Sequence, residues 1–182
     1  MVGMKFDPNK HHRRSIRLPH YDYTMSGAYF VTLCCYRREC WLGEIREEVM
    51  YPNAIAQMVT TVWEQLPNYF PFVTLDAFVV MPNHIRGIIF IDSDRAETSE
   101  PTTDRRRKIR SRSLGAIVGN FKSVSTRKVN RMLKRSGVPL WQRNYYETII
   151  RDDRHLNNVR QYIIDNPRKW AEDEENPDSI KN

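Results

Sequence analysis

The sequence predicts an α+β fold: one antiparallel four-stranded sheet of the ferredoxin-like, split βαβ kind, with two helices on one face and a further helix at the C-terminal end. Three observations predict it. Runs of β-branched and aromatic residues alternate with segments of three-and-four apolar spacing, in the order strand, helix, strand, strand, helix, strand, helix. The second and third strands are separated by little more than Pro82-Asn83, so they are antiparallel neighbours. The chain has 182 residues, 40% of them apolar, which suits one domain with a real core and is too few for two comfortable ones.

Taken in order, residues 1–25 are polar and basic, with His11, His12, Arg13, Arg14 and Arg17 broken up by Pro8 and Pro19, and read as an arm. The run from Ala28 to Tyr36 is a strand by composition. After Pro52-Asn53, the residues Ile55, Met58, Val59, Val62, Trp63 and Leu66 fall on one helical face, and Pro67 and Pro71 end it. Phe72 to Met81 is the second strand and His84 to Asp92 the third. Residues 93–112 lack apolar periodicity and turn from acidic to basic, a loop ending in Arg105, Arg106, Arg107, Lys108, Arg110 and Arg112. Ser113 caps a helix to about Arg135 that carries Leu114, Ile117, Val118, Phe121, Val124 and Val129 on its buried side. Its polar face holds Lys122, Arg127, Lys128 and Arg131. Leu140 to Arg151 is the fourth strand. Asp152 caps a last helix that Pro167 stops after Asn166. The expected organisation is thus an arm (1–25), a domain (26–170) and an acidic tail (171–182) that reads as mobile.

Lys and Arg number 29 against 22 Asp and Glu, a formal charge of +7. Glu172, Asp173, Glu174, Glu175 and Asp178 crowd the tail, so the body is more basic still. That balance favours polyanionic partners. Three cysteines (Cys34, Cys35, Cys40) in one short stretch support neither a disulfide framework nor a zinc finger. The first residues have no apolar run of signal-peptide type and no stretch approaches membrane-span length, so a cytosolic protein is expected.

Two segments look chemical. In Met81-Pro82-Asn83-His84-Ile85-Arg86-Gly87, His84 and Arg86 are two apart on a strand and emerge on the same face. In Gln161-Tyr162-Ile163-Ile164-Asp165-Asn166-Pro167, Tyr162 and Asn166 are four apart on a helix and stack. Leu156, Val159 and Ile163 form the adjoining apolar stripe. A helix docked by that stripe over the third strand brings a phenol, an amide and an imidazole together. Tyr145 and Tyr146 are rival nucleophiles by appearance, although paired strand aromatics are more often sheet packing.

At these segments the chain resembles the REP-associated tyrosine transposases, a branch of the single-tyrosine HUH transposases and nucleases. The resemblance runs nearly end to end, through Arg13-Arg14-Ser15-Ile16-Arg17-Leu18-Pro19, Gly27-Ala28-Tyr29-Phe30-Val31-Thr32, Ala77-Phe78-Val79-Val80-Met81-Pro82-Asn83-His84, Trp141-Gln142-Arg143-Asn144-Tyr145-Tyr146-Glu147 and Gln161 to Pro167. It implies a ferredoxin-like catalytic domain, a divalent metal (magnesium or manganese) held by a His-x-His pair, and a tyrosine on the last helix that attacks a DNA phosphate to leave a 5′-phosphotyrosine link and a free 3′-hydroxyl. His84 matches the first metal histidine, Tyr162 the nucleophile and Asn166 the polar residue that completes the metal site. The implied partner is DNA, as single-stranded hairpins of a palindromic repeat, bound in the bacterial cytoplasm at the nucleoid. A phenol with an ordinary pKa of about 10 is a poor nucleophile near neutrality, and a cation beside it lowers that pKa and offsets phosphate charge.

The sequence departs from the family at Arg86, which stands where the second histidine is expected, and at Thr148, where relatives often carry histidine. A guanidinium has no lone pair to give and repels a divalent ion, so His84 and Asn166 are left as an incomplete site. Arg86 is instead a candidate phosphate contact, alongside Arg13, Arg14 and Arg17 of the arm, the cluster from Arg105 to Arg112, and Lys122, Arg127, Lys128 and Arg131. Two functions stay open: a hairpin transposase acting through Tyr162 with impaired chemistry, and a sequence-selective DNA-binding protein that has lost the chemistry. An RNA-binding sheet is disfavoured because the aromatic ribonucleoprotein motifs are missing. The short link between the fourth strand and the last helix leaves little slack for helix exchange, so a monomer is expected over a dimer.

Overall fold

A computed structural model describes residues 26–92 and 112–179. The basic arm, including Arg13, Arg14 and Arg17, and the loop residues Arg105, Arg106, Arg107, Lys108 and Arg110 lie outside the described residues. Strands β1 (Gly27–Cys34), β4 (Val73–Val80), β5 (His84–Ile91) and β6 (Tyr146–Ile150) form an antiparallel sheet in the order β4-β5-β1-β6. This is the split βαβ arrangement: β1 and β4 flank β5, and the helices α1 (Ala54–Glu64) and α3 (Leu114–Met132) cross one face. A short helix α2 (Leu66–Tyr69) follows α1, and α4 (Asp153–Asp165) covers the other face.

The helices begin where side chains satisfy their free N–H groups. Asn53 accepts from the N–H groups of Ile55 and Ala56, Ser113 from Ala116 and Asp152 from His155. Strand alternation then divides the sheet. Tyr29, Val31 and Leu33 of β1 and Ile85, Ile89 and Ile91 of β5 pack against Val59, Val62 and Trp63 of α1 and Ile117, Phe121 and Val129 of α3. Trp63 stacks on Phe78 at 4.9 Å and meets Phe121 edge-on at 5.5 Å. Gly87 lies beneath it, and a Cβ there would stand 2.5 Å from the indole, so this strand position has no room for a side chain.

The opposite face has a smaller core of Ala28, Ile88, Ile150, Val159 and Ile163. With Val159 and Ile163 as its buried residues, α4 gains only a few kcal/mol from apolar burial at about 1.5–3 kcal/mol each. Polar ties add to this. A register shift in β4 between Leu75 and Phe78 contains Asp76, whose carboxylate receives Arg160 Nε at 2.8 Å and Nη2 at 2.7 Å. No helix among the described residues is long and apolar enough to cross a membrane.

Three features depart from the sequence reading. A separate hairpin, β2 (Gly43–Arg46) with β3 (Val49–Pro52), precedes α1. Its turn residues Glu47 and Glu48 have φ of 48° and 64°, a conformation usually given to Asn-Gly. The fourth strand starts at Tyr146 and not at Leu140: Trp141 makes a lone bridge to Cys35, and the backbone then breaks away through Arg143-Asn144. The acidic tail is docked. A 3-10 turn at Trp170–Glu172 leads to Asp173, Glu175 and Asn176, all buried.

Candidate functional site

The Pro82-Asn83 turn fixes the start of β5. Its Asn83 amide nitrogen donates to the carbonyl oxygens of Arg38 (3.1 Å) and Glu175 (2.6 Å), which leaves the amide oxygen facing His84 Nδ1 at 2.9 Å. His84 Nδ1 is therefore the protonated nitrogen, and Nε2 carries the lone pair. Nε2 is buried, has no partner within hydrogen-bond geometry among the described residues, and lies 4.0 Å from Asp173 Oδ2. Burial first, and then the charge of Arg86, pull the imidazole well below its ordinary pKa, so it is neutral near pH 7.

Arg86 follows on the same face of β5. Its guanidinium donates through Nη1 to Asn166 Oδ1 and to Asp173 Oδ2 (2.5 Å), and through Nη2 to Asp173 Oδ1 (3.2 Å). Burial works to raise the Asp173 carboxyl, but the Arg86 hydrogen bonds, the Glu175 N–H at 2.8 Å and the guanidinium charge outweigh it and hold the group below the usual carboxylate range. Asn166 is in turn oriented by donating Nδ2 to the Tyr162 carbonyl at 3.0 Å.

Tyr162 sits one helical turn before Asn166. The residue is 41% exposed; its ring packs edge-on against Phe30 at 5.9 Å and has the Arg86 guanidinium carbon 5.0 Å from its centroid. The phenol looks onto a cleft of about 480 Å³ whose lining includes Arg38, Tyr146, Lys169 and the acidic run from Glu172 to Glu175.

His84, Arg86, Tyr162 and Asn166 are thus brought together as their spacing implied. The basic residues of α3 are not part of this cluster, because α3 packs on the opposite face of the sheet. Arg127 and Arg131 are exposed there, and Arg112 is half-buried just before the helix. Lys128 Nζ reaches Gln65 Oε1 of α1 at 3.3 Å. Lys122 donates to the carbonyls of Gln142 (3.0 Å) and Asn144 (2.7 Å), holding the loop that ends the Trp141 bridge, and burial lowers its pKa to about 8. Tyr145 and Tyr146 lie at the start of β6. Tyr145 packs against the main core and under Lys122, and Tyr146 borders the cleft. Cys34 and Cys35 are buried, and burial pushes the Cys34 thiol up to about 12, so they behave as small apolar residues.

Asp173, Asn83 and Arg38 had no signal in the spacing of motifs. Asp173 had an indirect one: a strand arginine beside a buried histidine needs a counter-charge, and the acids from Glu172 to Glu175 are the dense local supply.

The resemblance implies a divalent ion held by lone pairs of two imidazoles and the Asn166 oxygen. His84 Nε2 offers one, but the Asn166 oxygen and both Asp173 oxygens accept from Arg86. With a permanent cation already among these donors, the residues do not fit the metal that a His-x-His pair implies.

No family model matches the chain. A Haemophilus influenzae relative bearing the name "Uncharacterized protein" is 40% identical over 176 residues, 93% of this chain and 96% of its own length. A second Haemophilus influenzae protein, named "Putative REP-associated tyrosine transposase", is 27% identical over 152 residues, 81% of this chain and 74% of its own. The solved structure of a REP-associated tyrosine transposase bound to a REP hairpin shares the fold, with a TM-score of 0.50 and 21% identity over 84% of this chain and 73% of that one. By sequence the chain is thus similar to a putative REP-associated tyrosine transposase, and it shares the fold of the one solved on a REP hairpin.

Proposed function

We propose that this chain binds DNA that is single-stranded and folded into a hairpin, and that in its present form it retains such DNA without cutting it. The DNA partner is supported by the likeness to a putative REP-associated tyrosine transposase, by the shared fold with a protein solved on a REP hairpin, and by the formal charge of +7. The loss of cutting is carried by one observation: Arg86, in the place of a second metal histidine, is locked between Asn166 and Asp173. A phenol attacks a phosphodiester well only when its proton is easily lost and the phosphate charge is offset. The Arg86 guanidinium beside the Tyr162 ring is already neutralised by a carboxylate at hydrogen-bond distance, which weakens both effects. Asn166 and Asp173 together take both N–H groups of Arg86 Nη1 and one of Nη2, which leaves the guanidinium less able to grip a phosphate. DNA entering the cleft would meet Tyr162 and Lys169 among the residues that line it. The working unit is a monomer, since α4 starts within three residues of the end of β6 and packs back on its own sheet.

The test is a labelled palindromic hairpin mixed with the full chain in magnesium or manganese, read on native and denaturing gels. The expected result is a salt-sensitive shift, with a log–log slope of about −5 for about six phosphate contacts, and no band that survives denaturation. A denaturation-resistant band that disappears in Tyr162→Phe would refute the non-cutting reading. Equal binding of duplex, hairpin and unstructured strands would refute the hairpin preference.

A further inference from the structure

We propose that Arg86 is a built-in replacement for a divalent cation: its guanidinium takes the Asn166 and Asp173 oxygens that stand beside His84, and the chain takes up no metal there. The inference deepens the non-cutting reading and rests on the same site.

Three kinds of donor converge. His84 Nε2 presents an unshared, buried lone pair, fixed in that tautomer by Asn83. Asn166 presents an amide oxygen, fixed by its own bond to the Tyr162 carbonyl. Asp173 presents both carboxylate oxygens, one of them 4.0 Å from the imidazole. An imidazole nitrogen with an amide and a carboxylate oxygen is an ordinary donor set for manganese or magnesium. Here the positive charge bound to the Asn166 and Asp173 oxygens is a guanidinium, planar and always protonated, which the Asp173 carboxylate meets fork to fork. Since a guanidinium can neither ligate nor leave, the set is closed to metal by a covalently attached cation. Asp173 is the positioning residue of this arrangement: it acts through Arg86 and is in place to ligate once the guanidinium is gone.

Manganese alone is the probe, followed by the loss of its free-ion electron paramagnetic resonance signal, on full-length chains without DNA. Wild type is expected to leave the ion free at millimolar concentrations. Arg86→His is expected to bind one ion per chain. Adding Asp173→Ala to Arg86→His is expected to weaken that binding by at least about tenfold, the smaller end of the loss seen when a group that merely supports a ligand is removed. Uptake of manganese by wild type that is abolished in His84→Ala would overturn the proposal, as would a folded Arg86→His that leaves the ion free. If circular dichroism shows Arg86→His unfolded, wild type decides: no manganese uptake supports the proposal, and His84-dependent uptake overturns it. Failure of hairpin binding would sink the DNA-binding reading and leave these titrations standing, so the two failures are distinguishable.

Discussion

Asp173→Ala tests the centre of the site most directly. The change removes the carboxylate from a guanidinium whose side chain is 7% exposed, leaving the Asn166 oxygen as its remaining hydrogen-bond acceptor. Two unit charges about 4 Å apart at an effective dielectric near 20 attract by about 4 kcal/mol, which agrees with the roughly 3–5 kcal/mol lost when one partner of a buried pair is removed. The Glu175 N–H also loses its acceptor, worth about 1 kcal/mol. Against a total stability of roughly 5–15 kcal/mol this is a large fraction. Urea unfolding followed by circular dichroism at neutral pH, with a slope near 2 kcal/mol per molar, should show the midpoint falling by about 2 M. The companion variant Arg86→Met with Asp173→Leu removes both charges at once and should recover most of the loss, because the desolvation of two ions disappears with their attraction. A midpoint within about 0.5 M of wild type for Asp173→Ala, or a double variant as weak as the single one, would refute the pairing as the unit that holds the tail.

Three further outcomes are expected. Gly87→Ala should lower stability by about 1–3 kcal/mol in the same assay, because its methyl would meet a Trp63 ring already wedged between Phe78 and Phe121. Glu47→Asn with Glu48→Gly should raise it by about 1 kcal/mol, since both turn residues adopt left-handed φ values that the new pair accepts readily. Arg160→Gln should flatten the acid side of the stability profile: Arg160 hydrogen bonds hold the Asp76 carboxyl below its unfolded value of 3.8, so that contribution is complete above 3.8 and is lost as pH falls through the folded value. Urea midpoints at about pH 5 and about pH 3 should therefore differ less in the variant than in wild type.

Interactions that close within one turn were legible in the residues. Asn53, Ser113 and Asp152 cap helices whose partners lie two or three positions away, and the Pro82-Asn83 turn dictates which strands pair. The meeting of Tyr162 with Arg86 followed from two periodicities and one apolar stripe. The β2–β3 hairpin was not legible, because Glu47-Glu48 carries no turn signature and its short strands have few β-formers. The start of the fourth strand was misplaced because Leu140 and Trp141 look like strand residues but meet only the residues around the end of β1, Cys34 to Tyr36. The tail failed as a reading for a different reason. Four consecutive acids normally signal a solvated segment, and here a charge at Arg86, 87 positions earlier, overrides that preference.

That override follows from the composition of one sheet face. Beside Arg86 it presents Ala28, Phe30, Thr32, Cys34, Ile88 and Ile150, none of them acidic, while the residues α4 directs toward it are Val159, Tyr162, Ile163 and Asn166. The carboxylate that β4 offers to this face, Asp76, is held by Arg160 of α4, so the counter-charge for Arg86 comes from the segment after Trp170, which brings Asp173 onto the guanidinium. The charge at position 86 therefore governs two things together: what lies beneath the Tyr162 ring, and whether the C-terminal segment closes the end of the cleft. A histidine placed at 86 restores a lone pair but also frees Asp173 from its partner, and a buried carboxylate without a cation is as unfavourable as a guanidinium without a carboxylate. Any return of chemistry in such a variant must therefore be read against the position of Asp173, either bound to a metal or displaced with the tail into solvent.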